Sequence, residues 1–455
     1  MKDKRSTFTG KIGFILAAAG SAIGLGNLWR FPYLAAQYGG GIFLLVYIIL
    51  AITFGFALMI AEIAIGRKTG LSAIGAFKAL DKRFSFVGYL CALVPIIILP
   101  YYSVIGGWVS KYLVTFVTGG GEEAASSSFF SGFIGSVGEP LLWFALFIAI
   151  TAIVVLLGVE KGIEKVSKVM MPVLVALTVG IAIYSLTLPN ALDGFIYYVK
   201  PDFSKFSSTT VLAAMGQLFY SMSLAMGIMI TYGSYMKKDV NIEASTRQIE
   251  IFDSGIAFFA GLMIIPAIFS FYGGDAEALD ENLSKGPGLM FVMLPKVFES
   301  MPAGGVIGTL FFLLVLFAAL TSSISLMETV VSIFMDKLKI GRKTACLIVL
   351  GISLLLGIPS SLGNGVWSEV KIIGMDFLTF FDFATNNLIM PLVALATCII
   401  VGYIIKPKAV IEEVELNGKF KAKNLFSVVI KYVAPVFIVA ILVFSICEGL
   451  GIITV

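Results

Sequence analysis

The sequence contains no histidine among its 455 residues and only four cysteines. The absence of histidine excludes a zinc site built on histidine ligands and every Ser–His or Cys–His catalytic pair. The cysteines lie in apolar segments without CxxC spacing, which favours packing over a disulfide or a metal set; they are Cys91, Cys346, Cys398 and Cys447. With no nucleophile beside a visible base, the sequence argues against an enzyme.

Charge is also scarce, since 13% of the residues are charged and 58% are hydrophobic, whereas soluble domains carry roughly 25% charged residues. Apolar runs of about 20 residues recur along the chain, each long enough to cross a hydrocarbon core of about 30 Å. The predicted fold class is an all-α polytopic membrane protein with about eleven transmembrane helices. They are expected near residues 12–37, 42–66, 86–117, 140–158, 167–188, 209–236, 249–273, 304–336, 344–358, 374–404 and 428–450.

The positive charges predict the orientation in a plasma membrane. About 25 of the 32 lysines and arginines lie in segments that alternate with loops holding few positive charges, and the positive-inside rule places such segments in the cytoplasm. They are the N-terminus and residues 67–83, 160–168, 237–247, 337–343 and 406–431. The N-terminus is therefore expected to be cytoplasmic and the C-terminus extracytoplasmic. The first apolar run is interpreted as a retained span rather than a signal peptide.

Two predicted spans contain breaks, GSAIGLGN at 20–27 and SMSLAMG at 221–227. Gly20 and Gly24 form a GxxxG spacing that alone favours helix packing, but packing does not explain the added Gly26 and Asn27. Unwound backbone is tolerated in a bilayer only beside a protected cavity. Breaks at matching positions of two inverted halves are typical of secondary transporters. The sequence therefore predicts a single transporter domain over 1–455, with repeat halves 10–190 and 205–405 and an additional span at 426–452.

Charged side chains inside the spans also indicate function, because each charge costs roughly 2.5–3.5 kcal/mol at mid-bilayer. The charged candidates are Arg30, Glu62, Asp253, Glu328, Asp336 and Asp382. Their positions allow ion pairs at the two mouths of a central site, although snorkelling at the interface would explain them equally well. The hydroxyl run TSSIS at 321–325 either bonds its own helix or offers neutral oxygens to a hard monovalent cation. The pattern assigns no role to Glu328.

Three stretches resemble spans 1, 6 and 8 of the neurotransmitter:sodium symporter family. They read GSAIGLGNLWRFPYLAAQYGGGIF at 20–43, GQLFYSMSLAMGIMITYGSY at 216–235 and FAALTSSISLMETVVSIFMD at 317–336. The resemblance covers almost the whole chain and is strongest to bacterial amino-acid symporters of eleven spans, such as the bacterial leucine transporter. It implies a leucine-transporter-like fold, in which a five-plus-five inverted repeat contains broken helices 1 and 6.

The resemblance also implies a site for two sodium ions and one amino acid. One sodium site would use Ala22, Asn27, Ser221, Asp253 and the carboxylate of the substrate. The other would use Gly20, Ile23, Ala318, Thr321 and Ser322. The amino acid would contact Ala22, Leu25, Gly26, Ile98, Tyr102, Tyr220, Ser221, Ser223, Met226, Ser322 and Leu326.

The same comparison implies an outer gate, Arg30–Asp382, and an inner gate, Arg5–Asp336. Phe8 and Tyr235 would support the inner gate, and Glu62 would bond the unwound part of span 6. Asp253 stands where the family commonly has asparagine, and relatives that need chloride bind it near Tyr47, Gln217 and Ser221. Because Asp253 supplies a fixed negative charge there, the sequence predicts no requirement for chloride.

The predicted function is sodium-coupled import of a neutral, hydrophobic or aromatic amino acid across the membrane, with no nucleic-acid partner. An alternative is an amino-acid-binding membrane sensor, and another is a symporter for a different small neutral amine or amino acid. A further alternative is proton counter-movement through a buried carboxylate. A channel is disfavoured, since paired gates around a midplane site do not form a continuous pore.

Overall fold

The structure is a computed structural model that describes residues 6–274 and 286–449. Apolar stretches with few helix breakers form helices, because every backbone group within a bilayer must be hydrogen-bonded internally. In chain order the helices are α1 Lys11–Ala22, α2 Gly26–Gln37, α3 Gly41–Thr69, α4 Ala73–Leu80, α5 Lys82–Val117, α6 Gly121–Ala125, α7 Phe129–Gly135, α8 Gly138–Leu156, α9 Val159–Ser185, α10 Ala191–Val199, α11 Ser208–Ser221, α12 Ile228–Tyr235, α13 Ile242–Phe271, α14 289–299, α15 Gly304–Leu338, α16 Arg342–Leu362, α17 Phe377–Ile404, α18 Lys406–Val414 and α19 Lys423–Cys447.

The prediction of an all-α polytopic protein is confirmed, since the described ranges contain no β-strand beyond two isolated bridges. Within those ranges, nine helices are long and apolar enough to cross a bilayer, and the bent pair α1–α2 adds a tenth. The predicted sixth span at 209–236 is divided into α11 and α12, of 14 and 8 residues. Neither half reaches the roughly 20 residues that a span needs. The predicted count of eleven therefore stays a prediction.

Both predicted breaks are present. The axes of α1 and α2 differ by 53°, and Ile23 between them is extended, with ψ of 100°. In the second break, Ser223, Ala225 and Gly227 all have φ between 53° and 74°. That left-handed conformation is strained for residues with a side chain, so contacts from the surrounding helices must hold the break in place.

Close backbone approach joins α3 to α12. A Cβ added at Gly66 would lie 1.9 Å from the carbonyl oxygen of Ile230, and one added at Gly233 would lie 2.4 Å from that of Ile63. Small residues at such crossings allow membrane helices to pack tightly without a hydrophobic driving force between them. The half-span α12 is therefore fixed against an unbroken helix.

A buried arginine ties three segments together at the end of α3. Arg67 is 3% exposed; its Nε donates to Glu413 Oε1 at 2.8 Å and its Nη1 donates to the carbonyl oxygen of Val240 at 2.6 Å. Lys238 Nζ donates to the same carboxylate at 2.8 Å. We call Arg67, Lys238, Val240 and Glu413 the arginine clamp. It connects α3, the turn before α13 and helix α18.

Replacing Arg67 with methionine should lower the free energy of unfolding by about 3 kcal/mol, because the change leaves Glu413 buried with a weaker partner. Thermal unfolding of the purified protein in detergent measures the effect. The exposed pair Arg83–Asp81, whose arginine is 76% exposed, provides the control, and Arg83→Met should change the unfolding temperature little. Equal losses in the two variants would contradict the structural role of the clamp.

Candidate functional site

A cavity lies between the two breaks. Its polar end is formed by residues 21–27, where Tyr102 Oη accepts a hydrogen bond from the Leu25 N–H at 3.3 Å. The rest of its wall is largely apolar. Ten of the eleven predicted substrate residues line the cavity, and they are Ala22, Leu25, Gly26, Ile98, Tyr102, Tyr220, Ser223, Met226, Ser322 and Leu326.

Ser221, the eleventh, belongs to a buried carboxylate cluster beside the cavity. Asp253 is fully buried, and its carboxylate accepts hydrogen bonds from Asn27 Nδ2 at 2.7 Å, Ser221 Oγ at 2.9 Å and Tyr47 Oη at 3.2 Å. Asn27 Oδ1 in turn accepts the Gly24 N–H at 3.2 Å. The structure thus brings together the side chains of one predicted sodium site, and Ala22 lines the adjoining cavity wall. A buried carboxylate held only by neutral donors gives this position an uncompensated negative charge.

The second group of oxygens lies where α1 ends against α15. Ser322 Oγ is 3.5, 3.1 and 3.3 Å from the carbonyl oxygens of Gly20, Ser21 and Ile23. One hydroxyl proton cannot satisfy three acceptors at once. Thr321 Oγ1 lies 3.1 Å from the carbonyl oxygen of Ala318 on the same helix. The residues predicted for the other sodium site are therefore adjacent and rich in neutral oxygen, the ligand type that hard cations prefer.

The hydroxyls of the run on α15 have two kinds of hydrogen-bond partner, and their role in cation binding stays a prediction. Thr321, Ser323 and Ser325 donate to carbonyls of their own helix, whereas Ser322 crosses to α1. The sequence pattern alone does not distinguish the hydroxyl that crosses to α1 from those that bond their own helix.

Glu62 holds the second break from α3. Its Oε1 accepts the Ala225 N–H at 2.7 Å, while Oε2 has no hydrogen-bond partner among the described residues. Ser223 Oγ donates to the carbonyl oxygen of Ser21 at 3.0 Å, so the two breaks bond each other directly. Gln217 Nε2 adds a bond to the carbonyl oxygen of Gly26 at 2.9 Å.

Arg30 and Asp382 lie at one mouth of the cavity. Among the described residues, they do not form the direct ion pair that the sequence predicts. The guanidinium of Arg30 lies 5.5 Å from the centre of the Tyr220 ring. Asp382 instead accepts hydrogen bonds from Tyr101 Oη at 3.1 Å and Asn386 Nδ2 at 2.6 Å. The physical reason is competition, because neighbouring donors already satisfy the carboxylate and the arginine stacks on the aromatic ring that covers the cavity.

At the opposite mouth, Phe8 packs edge-on against Tyr232 and Tyr235, with ring centres 5.5 and 6.2 Å apart. Its backbone N–H also donates to the carbonyl oxygen of Tyr235 at 3.1 Å. Asp336 accepts the Ser72 N–H at 2.8 Å. Arg5, its predicted partner, lies outside the described residues.

Sequence reasoning left Glu328 without a role and missed its partner Arg342. Glu328 receives two hydrogen bonds from Arg342, at 2.6 and 2.8 Å, and one from Tyr235 Oη at 2.7 Å. Arg342 drew no attention because it begins a helix after a loop, where a positive charge is ordinary. Cavity residues Ser21, Gly24 and Ile228 were also missed, although Ser21 and Gly24 lie within the first break.

The model of the "Sodium:neurotransmitter symporter family" matches residues 5–120 and 127–450. The chain is 35% identical to an uncharacterized sodium-dependent transporter of Bacillus subtilis, with 97% of each chain covered. It is 33% identical to another from Haemophilus influenzae, over 97% of this chain and 98% of the relative. A sodium- and chloride-dependent glycine transporter of Xenopus laevis is 27% identical, over 98% of this chain and 78% of that protein.

Among solved structures, MhsT in complex with L-phenylalanine is similar with a TM-score of 0.88 and 38% identity, covering 97% of this chain and all of that one. This similarity confirms the leucine-transporter-like fold predicted from the three motifs. The family model spans nearly the whole chain, and the bacterial relatives match it in length. Both findings agree with this similarity of structure. The chain belongs to the sodium:neurotransmitter symporter family and is a multi-span, sodium-dependent membrane transporter.

Proposed function

We propose that this transporter is a symporter that couples two sodium ions to the import of a neutral hydrophobic or aromatic amino acid, without chloride. The observation that carries the proposal is the cavity between the breaks, which has backbone N–H groups and the Tyr102 hydroxyl at one end and apolar side chains elsewhere. Freed N–H groups suit a carboxylate, and freed carbonyls suit an ammonium group or a cation.

The lining of the cavity supports the substrate class. Ile98, Met226, Ile228 and Leu326 form its apolar wall, and none of the described residues that line it carries a charged side chain. A charged substrate side chain would therefore be desolvated without a partner. MhsT, which is similar over the whole chain, is described as a complex with L-phenylalanine, and the flexible Met226 can accommodate a large side chain.

The two oxygen clusters support the ion stoichiometry. In the proposal, one sodium binds among Asn27, Ser221, the Asp253 carboxylate and the carboxylate of the amino acid, so that each ligand improves the site for the other. The second sodium joins Gly20 and Ile23 of α1 to Ala318, Thr321 and Ser322 of α15. Each positive charge that enters a cell at 100 mV contributes roughly 2.3 kcal/mol to uptake.

Alternating access is proposed to follow from this coupling. A complete set of ions and substrate favours a closed site, and the two mouths then open in turn. The mouth at Arg30 and Asp382 is proposed to face outward and the mouth at Phe8, Tyr235 and Asp336 to face the cytoplasm, with the N-terminus inside and the C-terminus outside. The repeat halves 10–190 and 205–405 would move relative to each other around the site.

Uptake into proteoliposomes tests the proposal. Labelled leucine, tyrosine, tryptophan, alanine and glutamate are each supplied under an inward sodium gradient, then with potassium replacing sodium, then with gluconate replacing chloride. Sodium-dependent, chloride-independent accumulation of the hydrophobic or aromatic members is expected. Sodium-dependent binding without accumulation would favour the sensor, and the absence of binding would refute the substrate assignment.

Replacing Tyr102 with phenylalanine should weaken the apparent affinity for the amino acid about tenfold, because one hydrogen bond to a charged carboxylate is worth about 1.5–3 kcal/mol. The measurement is the substrate concentration at half-maximal uptake under saturating sodium. Tyr432→Phe is the matched control, since Tyr432 is 60% exposed and lies far along the chain from the cavity lining. An unchanged affinity in Tyr102→Phe would contradict the placement of the carboxylate.

A further inference from the structure

A second pocket, open to the surface, lies away from the transport site between α4 and the last turn of α15. We call it the basic pocket. Four lysines line it: Lys78 from α4, Lys82 from the start of α5, and Lys337 and Lys339 from the end of α15. One acidic side chain, Asp336, also lines it and accepts the Ser72 N–H at 2.8 Å. The pocket therefore has an excess of positive charge.

The lysines are not explained by neighbouring carboxylates. Within residues 6–274 and 286–449, none of the four takes part in a salt bridge. Lys337 and Lys339 also suit the negative end of the α15 dipole. Lys78 and Lys82 come from α4 and the start of α5, however. The dipole of α15 therefore does not explain why all four lysines line one pocket.

One side of the basic pocket adjoins the surface that faces lipid. Lys337 Nζ lies 5.2 Å from the centre of the Tyr89 ring. Tyr89 is 49% exposed and Phe86, on the preceding turn of α5, is 55% exposed. Exposed aromatic side chains on a membrane span contact acyl chains or the interface. The structure therefore places a lysine-lined cavity directly beside a surface for hydrocarbon.

We propose that the basic pocket binds the phosphate headgroup of an anionic phospholipid from the adjoining leaflet, with its acyl chains against Tyr89 and Phe86. Lysine is a strong point-charge donor to phosphate, and basic pockets between spans on the positively charged face of a membrane protein suit anionic lipids. Bound in this way, the lipid joins α4 to the end of α15 beside Asp336.

Native mass spectrometry of the purified full-length protein with dioleoyl phosphatidylglycerol tests the proposal. Dioleoyl phosphatidylcholine and soluble glycerol 3-phosphate are measured alongside. Phosphatidylglycerol should bind at least about tenfold more tightly than either, since four lysines act on its charge. Replacing all four pocket lysines with glutamine should remove that preference, whereas replacing them with arginine should keep it.

The matched control replaces four exposed lysines in the other positively charged segments, away from the basic pocket; they are Lys161, Lys165, Lys343 and Lys419. It should leave the preference intact. An equal loss of the preference for phosphatidylglycerol in the control would show that general surface charge, and not the basic pocket, binds the lipid. Equal binding of glycerol 3-phosphate would show that the pocket binds a soluble anion. If the glutamine variant does not fold, the unmodified protein is measured at 1 M salt, where the screening length is about 3 Å. A preference for phosphatidylglycerol over phosphatidylcholine that persists at this salt concentration would contradict a headgroup held by lysines.

Discussion

Replacing Asp253 with asparagine should lower uptake in chloride-free medium by about 100-fold, and chloride should restore part of it. The change keeps the size of the side chain but removes the only charge in a cluster whose other members, Asn27, Ser221 and Tyr47, are neutral. A unit charge about 4 Å from a cation is worth about 4 kcal/mol at an effective dielectric constant of 20. Loss of most of that stabilisation corresponds to a sodium affinity lower by two orders of magnitude or more.

The measurement is the sodium dependence of uptake with chloride or gluconate as the only anion. Glu250→Gln is the matched control, because Glu250 is buried one turn earlier on α13 and its Oε1 has no partner among the described residues. It should keep chloride-independent uptake. If Asp253→Asn still works without chloride, the charge of Asp253 does not substitute for an anion and the assignment fails.

Replacing Gly24 with alanine should abolish most uptake, by about 100-fold, while the protein remains folded. An added Cβ would lie 2.7 Å from Ser322 Oγ and 3.0 Å from Tyr102 Oη. Contacts this short force the first break away from α15, which costs about 1–3 kcal/mol in packing. The same displacement moves the Leu25 N–H from the Tyr102 hydroxyl, so the polar end of the cavity is lost as well.

Uptake is compared with substrate binding and with the unfolding temperature. Gly255→Ala is the control, since a Cβ at Gly255 would meet no atom within 4 Å, and it should transport normally. Normal uptake by Gly24→Ala would show that the approach of these two hydroxyls to the break is unimportant. Loss of folding in both variants would point to helix stability rather than to the site.

The sequence was most informative where a residue type is costly in a bilayer. Glycines and an asparagine inside a span predicted a break, and the structure places breaks at both expected positions because freed backbone groups need a protected cavity. The same reasoning singled out Glu62 and Asp253, which lie buried beside those breaks. The roles of these residues in ion and substrate binding remain predictions.

Sequence reasoning was weaker for contacts between residues that lie far apart in the sequence. Arg30 and Asp382 form no direct ion pair within the described residues, since Tyr101 and Asn386 donate to the carboxylate and the guanidinium lies over the Tyr220 ring. Their role as an outer gate remains a prediction. Glu328 could not be interpreted, because its partners come from other elements. The span count was also uncertain, because a broken span is two short helices and hydropathy does not reveal where one ends.

The arginine clamp has a consequence for spectroscopy. One guanidinium bonds both Val240 and Glu413, so we expect the end of α3, the turn before α13 and helix α18 to move together as one body. Spin labels at exposed positions on that body, such as Asp239 and Lys408, should give one narrow distance distribution whether or not sodium is present. The distance between these two labels would provide a fixed reference for measuring how the other helices move during the transport cycle.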